Sequence, residues 1–234
     1  VGKGDSIGDA MPTTPVKTNY SFDKWVNTAD NSDFDKTTTV NSDITVKATY
    51  KSDITVNFNI NDGTTPATPF ATDKGAPSKS YTAPSDPTRA NYTFAGWNTK
   101  ANGSGTSYTN DDLKALTVSA DADYYAMWEP TDKNNQVTLT FDSTGCDGAV
   151  SPASITVVKG DTIYAYQMPA DPTKTSATGD KYTFEGWYEG LSQSNADKFN
   201  APFELNENKK AYAHWTYSGR DQVTVTFDYD GATS

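Results

Sequence analysis

The sequence predicts a mainly β protein that is assembled from tandem copies of one small module. Three observations support this class: an aromatic box occurs three times, apolar and polar residues alternate in short segments around it, and helical periodicity is weak. The box spans residues 19–25, 91–97 and 181–187. Because an internal repeat makes each copy one structural unit, the chain is expected to be an array of such units.

Further motifs recur around each box in the same order. A Lys-Gly pair comes first, then Pro-x-x-Pro, then the box, then a closing aromatic strand. The closing strands cover residues 46–50, 124–128 and 211–215. We expect residues shared by all copies to hold the unit together and not to perform chemistry.

An opening strand precedes these motifs at residues 54–58, 137–141 and 223–227. Its apolar side chains alternate with threonine or asparagine, as expected when one face of a sheet is buried. The phenylalanines that end these strands are spaced by 83 and 86 residues, which is the period of a small domain and too long for a solenoid turn.

These motifs set the domain boundaries. We predict a first repeat at 1–51 that lacks its opening strand, a second at 52–131, a third at 132–217, and a linker with the opening strand of a fourth at 218–234. The beginning and the end of the sequence therefore resemble cuts through a longer protein.

The box alternates through its Tyr and Phe, but its Trp follows three residues after the Phe. A β-bulge at Gly96 and Gly186 would bring these rings to one face, whereas Lys24 would be strained there if the bulge needed a positive φ. The aromatic residues expected to form the cores are Tyr20, Phe22, Trp25, Tyr92, Phe94, Trp97, Trp128, Tyr182, Phe184, Trp187 and Trp215.

Each unit is expected to contain at most one short helix. Residues 109–116 offer polar N-cap residues followed by Leu113 and Leu116, which is enough for one or two turns. Residues 201–205 hold the matching place in the third repeat.

Composition excludes several classes of partner. The net charge is −11 and no basic run is present, so neither nucleic acid nor an anionic membrane surface is an expected partner. No apolar run approaches the roughly 18 residues of a spanning helix, so no membrane insertion is expected in this segment.

Catalytic, cofactor and metal sites are also not expected. The single cysteine, Cys146, lies in a turn-like stretch, and the single histidine, His214, lies where the other repeats have Thr49 and Met127. Acidic loops at 30–35 and 228–231 could hold calcium, yet neither has the EF-hand spacing, so ordinary loop chemistry is favoured. A lysine–asparagine crosslink is conceivable, but no spacing identifies one.

The succession of Lys-Gly, Pro-x-x-Pro, Tyr-Thr-Phe-x-Gly-Trp and Tyr-Ala-x-Trp resembles the Listeria–Bacteroides repeat, also called the internalin B repeat. The first copy departs from the pattern at Asp23, Lys24 and Tyr50. The resemblance implies small β-grasp-like domains with a mixed sheet. It also implies a secreted or wall-attached protein on the bacterial cell surface, with its anchor outside this chain.

Two non-enzymatic functions follow from the resemblance. A stalk or spacer would project another domain, and short linkers with acidic surfaces agree with that role. The alternative is an adhesive module that binds a host protein or glycan through loop residues, for which the candidates are Tyr108, Tyr164, Tyr166 and Tyr188.

The opening strand at the end of the chain suggests one further partner. The segment from Gln222 to Phe227 has the pattern of the strand that the first repeat lacks, and an open sheet edge is a template for strand addition. We expect head-to-tail addition of this segment to the first repeat of a neighbouring molecule, which light scattering before and after truncation at Arg220 would test.

A repeat array in which each unit closes its own core should be elongated. We therefore predict that small-angle X-ray scattering gives a radius of gyration well above the value for one compact globule of this length, which is about 17 Å. A measured radius near that value would contradict the array.

Overall fold

A computed structural model describes residues 1–63, 69–78, 80, 82–176, 178–191, 197–220 and 222–226. The described chain is mainly β, as predicted. Its strands are β1 Tyr20–Asn27, β2 Asp33–Phe34, β3 Val46–Ser52, β4 Ile54–Asn59, β5 Pro69–Gly75, β6 Tyr92–Asn98, β7 Ser107–Tyr108, β8 Ala122–Pro130, β9 Gln136–Asp142, β10 Ser154–Val158, β11 Thr162–Ile163, β12 Asp180–Tyr188, β13 Phe203–Glu204 and β14 Lys209–Arg220. The α-helix α1 spans Asn110–Ala115, and 3₁₀ turns occupy Gly8–Ala10, Lys133–Asn135 and Ala165–Gln167.

The third repeat shows the complete module. Its main sheet has the order β10-β9-β14-β12, and the short pair β11-β13 lies beside it. The opening strand β9 runs parallel to the closing strand β14, while the outer pairs are antiparallel. The sheet is therefore mixed, as the resemblance implied.

The second repeat repeats this order as β5-β4-β8-β6-β7, again with a parallel opening and closing pair, β4 and β8. The first repeat has the antiparallel sheet β2-β1-β3, formed by its box strand and closing strand with one short addition.

By the density of internal contacts, the chain separates into two compact units. The first contains residues 1–87, 95–100 and 106–127, and the second contains residues 88–94, 101–105 and 128–234. The first unit thus holds the first repeat with most of the second, and the second unit holds the third repeat with three segments of the second, at 88–94, 101–105 and 128–131.

One aromatic contact lies at the centre of both complete repeats. Phe58 meets Trp97 edge-on with ring centroids 5.1 Å apart, and Phe141 meets Trp187 at 5.0 Å in the same way. Both tryptophans are almost fully buried. In the third repeat this pair belongs to a core cluster formed by Val137, Leu139, Phe141, Val150, Ile155, Val157, Ile163, Trp187, Leu205 and Ala211.

The other predicted core aromatics are less buried. Trp25, Trp128 and Trp215 are half-buried, and the structure corrects the expectation for Tyr20, which is 40% exposed. Tyr20 lies at the start of β1, where the ring reaches the cation of Lys17 and not the interior.

The predicted bulge is present in the box strand. The pairing of β12 with β14 shifts between Phe184 and Gly186, and Gly186 has φ 137°. The same shift occurs in the first repeat between Phe22 and Lys24, although Lys24 does not have a positive φ. The bulge therefore tolerates a lysine, and the strain anticipated there does not arise.

Among the residues that the structure describes, the predicted α-helix forms in the second repeat and at no matching place elsewhere. Thr109 caps α1, and its side chain and that of Asp112 bond reciprocally to each other's backbone. At the matching place in the third repeat, β13 pairs with β11. Pro202 supplies no backbone N–H, and Phe203 and Leu205 point their apolar side chains inward on alternate positions, which favours a strand.

The described part of the final opening segment, residues 222–226, pairs with no strand of this chain. Residues 222–226 have no regular structure, and Val223 and Val225 are 88% and 70% exposed. Phe227 lies outside the described residues. Strand addition to a neighbouring molecule stays a prediction. In the described part of the chain, no helix combines the length and the apolar character needed to cross a bilayer.

The buried tryptophans should dominate stability. Replacing Trp187 by alanine removes a large ring from a closed core, so we expect a loss of about 3–5 kcal/mol in the free energy of unfolding. The control is Tyr217→Ala on β14, where the ring is 57% exposed and the loss should stay below about 1 kcal/mol. Urea denaturation followed by circular dichroism measures both, and equal losses would refute the central role of the box.

Candidate functional site

A hydrogen-bonded junction fastens the start of the second box, with Arg89 just before it, to the third repeat. The Tyr92 hydroxyl donates to Oδ2 of Asp161 at 2.6 Å and accepts from the backbone N–H of Val158 at 2.9 Å. Arg89 lies 4.0 Å above the Tyr92 ring and forms an ion pair with Asp161 at 3.4 Å. One phenol thus joins two segments of the second compact unit.

The Asp161 carboxylate is positioned by the turn at Lys159-Gly160-Asp161. Gly160 has φ 89°, a conformation that suits glycine, and its N–H donates to the carbonyl of Leu205 at 2.9 Å. Leu205 in turn donates to the carbonyl of Asp161 at 3.0 Å. In the third repeat the Lys-Gly motif is therefore a turn that presents its following residue, Asp161, to the segment around Tyr92.

Burial and the hydrogen bond to Asp161 raise the pKa of Tyr92 to about 12. Burial is the larger cause, because it disfavours the phenolate. The phenol is consequently neutral at physiological pH and remains able to donate to Asp161. Its contribution to stability is complete below pH 10 and is lost as the pH rises through about 12.

A cation lies over the box tyrosine in every repeat. Distances from the cationic atom to the ring centroid are 4.1 Å for Lys17 over Tyr20, 4.0 Å for Arg89 over Tyr92 and 4.4 Å for Lys174 over Tyr182. Each cation comes two residues after the second proline of Pro-x-x-Pro. Such pairs contribute about 0.5–1 kcal/mol at exposed sites. The rigid proline segment therefore positions a cation, a role that sequence reasoning missed although its spacing was readable.

A second junction, inside the first compact unit, uses different contacts. Lys74 Nζ donates to Asn19 Oδ1 at 2.7 Å, and the N–H of Asp53 donates to the Asn19 carbonyl at 3.0 Å. The residue at the place of Asp161 is Ala76, so that position offers Tyr20 no carboxylate. Lys74 and Gly75 end strand β5, so neither the turn nor the phenol–carboxylate bond of the third repeat recurs here.

A surface cleft of about 440 Å³ lies beside Trp187 in the third repeat. Met168, Phe199 and Ala201 contribute apolar surface, and Asp171, Glu185, Lys198 and Asn200 contribute polar groups. The indole Nε1 of Trp187 is buried and has no hydrogen-bond acceptor among the described residues. A buried donor without an acceptor lowers the stability of the folded state, so this N–H is a candidate for binding an acceptor from a ligand.

The four tyrosines expected to contact a ligand lie in different surroundings. Tyr108 meets Tyr124 edge-on, with ring centroids 5.8 Å apart. Tyr164 stacks on Tyr166, also with centroids 5.8 Å apart. The three candidates Tyr108, Tyr164 and Tyr166 are half-buried. Tyr188 is only 6% exposed and stacks on His214, so the structure places it inside the module and not on a binding surface.

The polar groups considered for chemistry have structural partners. His214 Nε2 lies 2.7 Å from the carbonyl oxygen of Gly190. Burial, then Asp142 and Asp147, raises the pKa of the Cys146 thiol and so disfavours its thiolate. Asp30 accepts hydrogen bonds from Ser32 within the predicted acidic loop. The acidic loop at 228–231 lies outside the described residues.

Within the described ranges, no group of three His, Cys, Asp or Glu side chains could hold a metal ion together. The residues that the structure brings together are Tyr92 with Asp161 at the junction, and Trp187 with Asp171 at the cleft. The sequence reasoning had assigned Tyr92 and Trp187 to the core and had given no role to the two aspartates.

Comparison with known proteins identifies the repeats. The sequence matches the Listeria-Bacteroides repeat domain at residues 1–49, 55–127 and 138–214. It is also 28% identical over 142 residues to a protein of Evansella cellulosilytica described as a Gly-rich membrane protein. That match covers 61% of this chain and 14% of the relative, so the chain spans a small part of the relative's length.

The Tyr92 hydroxyl should stabilise the junction. We expect Tyr92→Phe to lower the free energy of unfolding by about 1 kcal/mol at neutral pH, because Asp161 and the N–H of Val158 lose their partner. The difference from the parent protein should vanish as the pH rises through about 12. Urea denaturation across this pH range, with a tyrosinate absorbance titration, measures both effects.

Tyr20→Phe is the matched control, since Ala76 stands at the place of Asp161 in the segment next to it, and its effect should be close to zero. Equal effects of the two substitutions would contradict the junction role of the Tyr92 hydroxyl.

Proposed function

Because the chain belongs to the Listeria-Bacteroides repeat domain family, we propose that it is a non-catalytic repeat region of a bacterial surface protein and acts as a stalk or spacer. In this proposal it projects a functional domain away from the cell, and its modules are β-grasp-like. The similarity to a protein described as membrane-associated supports a location at the cell envelope. Attachment to the cell wall through a segment outside this chain is part of the proposal.

The main support for this proposal is the junction between Tyr92 and Asp161. A spacer transmits distance only if its consecutive modules do not hinge freely, so its linkers must be short or fastened. Two bonds inside the second compact unit join the second repeat to the third: Tyr92 to Asp161, and Asn102 Nδ2 to the carbonyl of Met168 at 3.3 Å. A third bond, from the N–H of Thr131 to the carbonyl of Asn91 at 3.0 Å, ties the start of the connection to the second box. These contacts convert a connecting segment into a folded element.

The surface charge also suits a spacer. A net charge of −11 keeps the chain solvated and opposes unspecific association between copies. The carboxylates that carry this charge mostly cap turns or pair with lysine on the surface, as Asp33 does with Lys24 and Asp111 with Lys114. Exposed pairs of this kind contribute little to stability.

Adhesion to a host protein or glycan is the second candidate function. The cleft beside Trp187 favours it, because this cleft combines apolar walls with several polar groups and a buried donor without an acceptor. A spacer can carry such a site, so the two functions are compatible.

A distance measurement between spin labels tests the spacer function. Nitroxides are attached to cysteines introduced by Glu129→Cys and Glu207→Cys, at two exposed positions. The native thiol is removed by Cys146→Ser, so that only these two sites carry a label. A fastened linker should give one narrow distance distribution by pulsed electron paramagnetic resonance, and Asp161→Asn combined with Tyr92→Phe should broaden it. A broad distribution in the parent chain would argue against a spacer.

A further inference from the structure

The second repeat satisfies its buried tryptophan with a carboxamide. Trp97 Nε1 donates to Asn110 Oδ1 at 2.8 Å, and Nδ2 of the same asparagine donates to the Asp86 carboxylate. The carboxamide of Asn110 therefore bridges an indole N–H and a carboxylate. Both the oxygen and the nitrogen of this side chain therefore have a hydrogen-bond partner.

Pairing of the strands shows which residue holds the place of Asn110 in the third repeat. Trp97 is opposite Tyr108, and Asn110 follows two residues later. In the third repeat, the N–H of Phe199 donates to the carbonyl of Trp187 at 2.9 Å, and the residue two positions later is Ala201. An alanine thus stands where the second repeat has its bridging asparagine.

The two groups that flank the carboxamide are retained. Trp187 matches Trp97, and its buried Nε1 has no acceptor within the described chain. Asp171 occupies the place of Asp86, because both precede the second proline of Pro-x-x-Pro. Asp171, Trp187 and Ala201 all line the same cleft. The third repeat therefore keeps a donor and an acceptor for an amide but lacks the amide itself.

We propose that the cleft beside Trp187 binds the acetamido group of an N-acetylhexosamine. The acetamido carbonyl accepts from Trp187 Nε1, and its N–H donates to Asp171, which reproduces the two bonds of Asn110 in the second repeat. Its methyl group packs against Met168, Phe199 and Ala201. This inference specifies the adhesive candidate and does not depend on the spacer role.

The rim of the cleft favours a sugar over other amides. Glu185 accepts hydrogen bonds from hydroxyl groups, and Asn200 and Lys198 donate to them, so the rim offers both kinds of partner that a pyranose ring needs. The two carboxylates, Asp171 and Glu185, and the negative net charge disfavour acidic peptides. A volume of about 440 Å³ is that of a small ligand site.

Trp187 Nε1 is buried, so a ligand reaches it only when the wall of the cleft opens, and Lys198 is a flexible side chain in that wall. Lys198 lies so close to Gly186 that a Cβ on this glycine would be 2.5 Å from its Cε. A lysine side chain is flexible and partly apolar, so it can leave this position and keep its ammonium group in water. Gly186 thus leaves room for the Lys198 side chain, which lines the cleft together with Trp187.

Titration of the ¹⁵N-labelled full chain with N-acetylglucosamine tests this proposal by nuclear magnetic resonance. We expect the indole N–H signal of Trp187 to shift saturably, with the signal of Trp97 unchanged and no shift with glucose, which lacks the acetamido group. No saturable shift of Trp187, or an equal shift with glucose, would overturn the proposal.

Two variants make the test specific. Ala201→Asn supplies the carboxamide from the protein itself, so it should abolish sugar binding while the melting temperature is retained or raised. Asp171→Ala should weaken binding about tenfold, because one hydrogen bond to a charged group is lost. If the Ala201→Asn protein folds and still binds, or if Asp171→Ala binds as the parent does, the proposed contacts are wrong.

Further ligands identify the source of the sugar. The disaccharide of N-acetylglucosamine and N-acetylmuramic acid represents the bacterial wall, and glycans that end in N-acetylgalactosamine represent a host surface. Stronger binding of either ligand supports the proposal and shows whether the natural ligand belongs to the bacterial wall or to a host surface. Binding of an acetyl-lysine peptide without binding of any sugar would overturn it. The spin-label distances are independent of this cleft, so failure of one proposal leaves the other testable.

Discussion

The edge-on contact between the opening phenylalanine and the box tryptophan is the interaction on which each complete module depends. Phe58 with Trp97 and Phe141 with Trp187 differ by 0.1 Å in centroid distance, 5.1 and 5.0 Å. Because the two rings come from strands far apart in sequence, their contact requires the parallel pairing of the opening and closing strands. It also requires the bulge that turns the tryptophan inward. Phe141 and Trp187 are the largest side chains in the core cluster of the third repeat, and large aromatic side chains contribute most to a small core.

Once the ring contact is fixed, the edges of the module can differ between repeats. Helix α1 follows the second box, whereas strand β13 holds the matching place after the third. Asn110 is replaced by Ala201, and Ala76 stands in place of Asp161. These changes concern polar bridges at the margin of the core. They alter what the surface offers without altering how the core is closed.

Much of this architecture could be predicted from the sequence, because alternation and the repeat report directly on strands and buried faces. The strands at 54–58 and 137–141, the bulge at Gly186 and the helix capped by Thr109 were all predicted. The exposure of Tyr20 was not predicted, since alternation alone does not show where a sheet ends. The bonds between Tyr92 and Asp161 and between Trp97 and Asn110 were missed because they join residues whose proximity depends on tertiary pairing.

The two proposed roles have the same physical origin. In each complete repeat the box tryptophan is held by its ring, and its N–H depends on one neighbouring position for an acceptor. The hydroxyl of the box tyrosine likewise depends on a neighbouring segment for its hydrogen-bond partner. Where the chain supplies the partner, as with Asn110 and Asp161, the polar group stabilises the protein. Where it does not, as at Ala201, a donor of fixed direction remains beside an open cleft. Repetition of one core thus allows one copy to be structural while another acquires the geometry of a binding site.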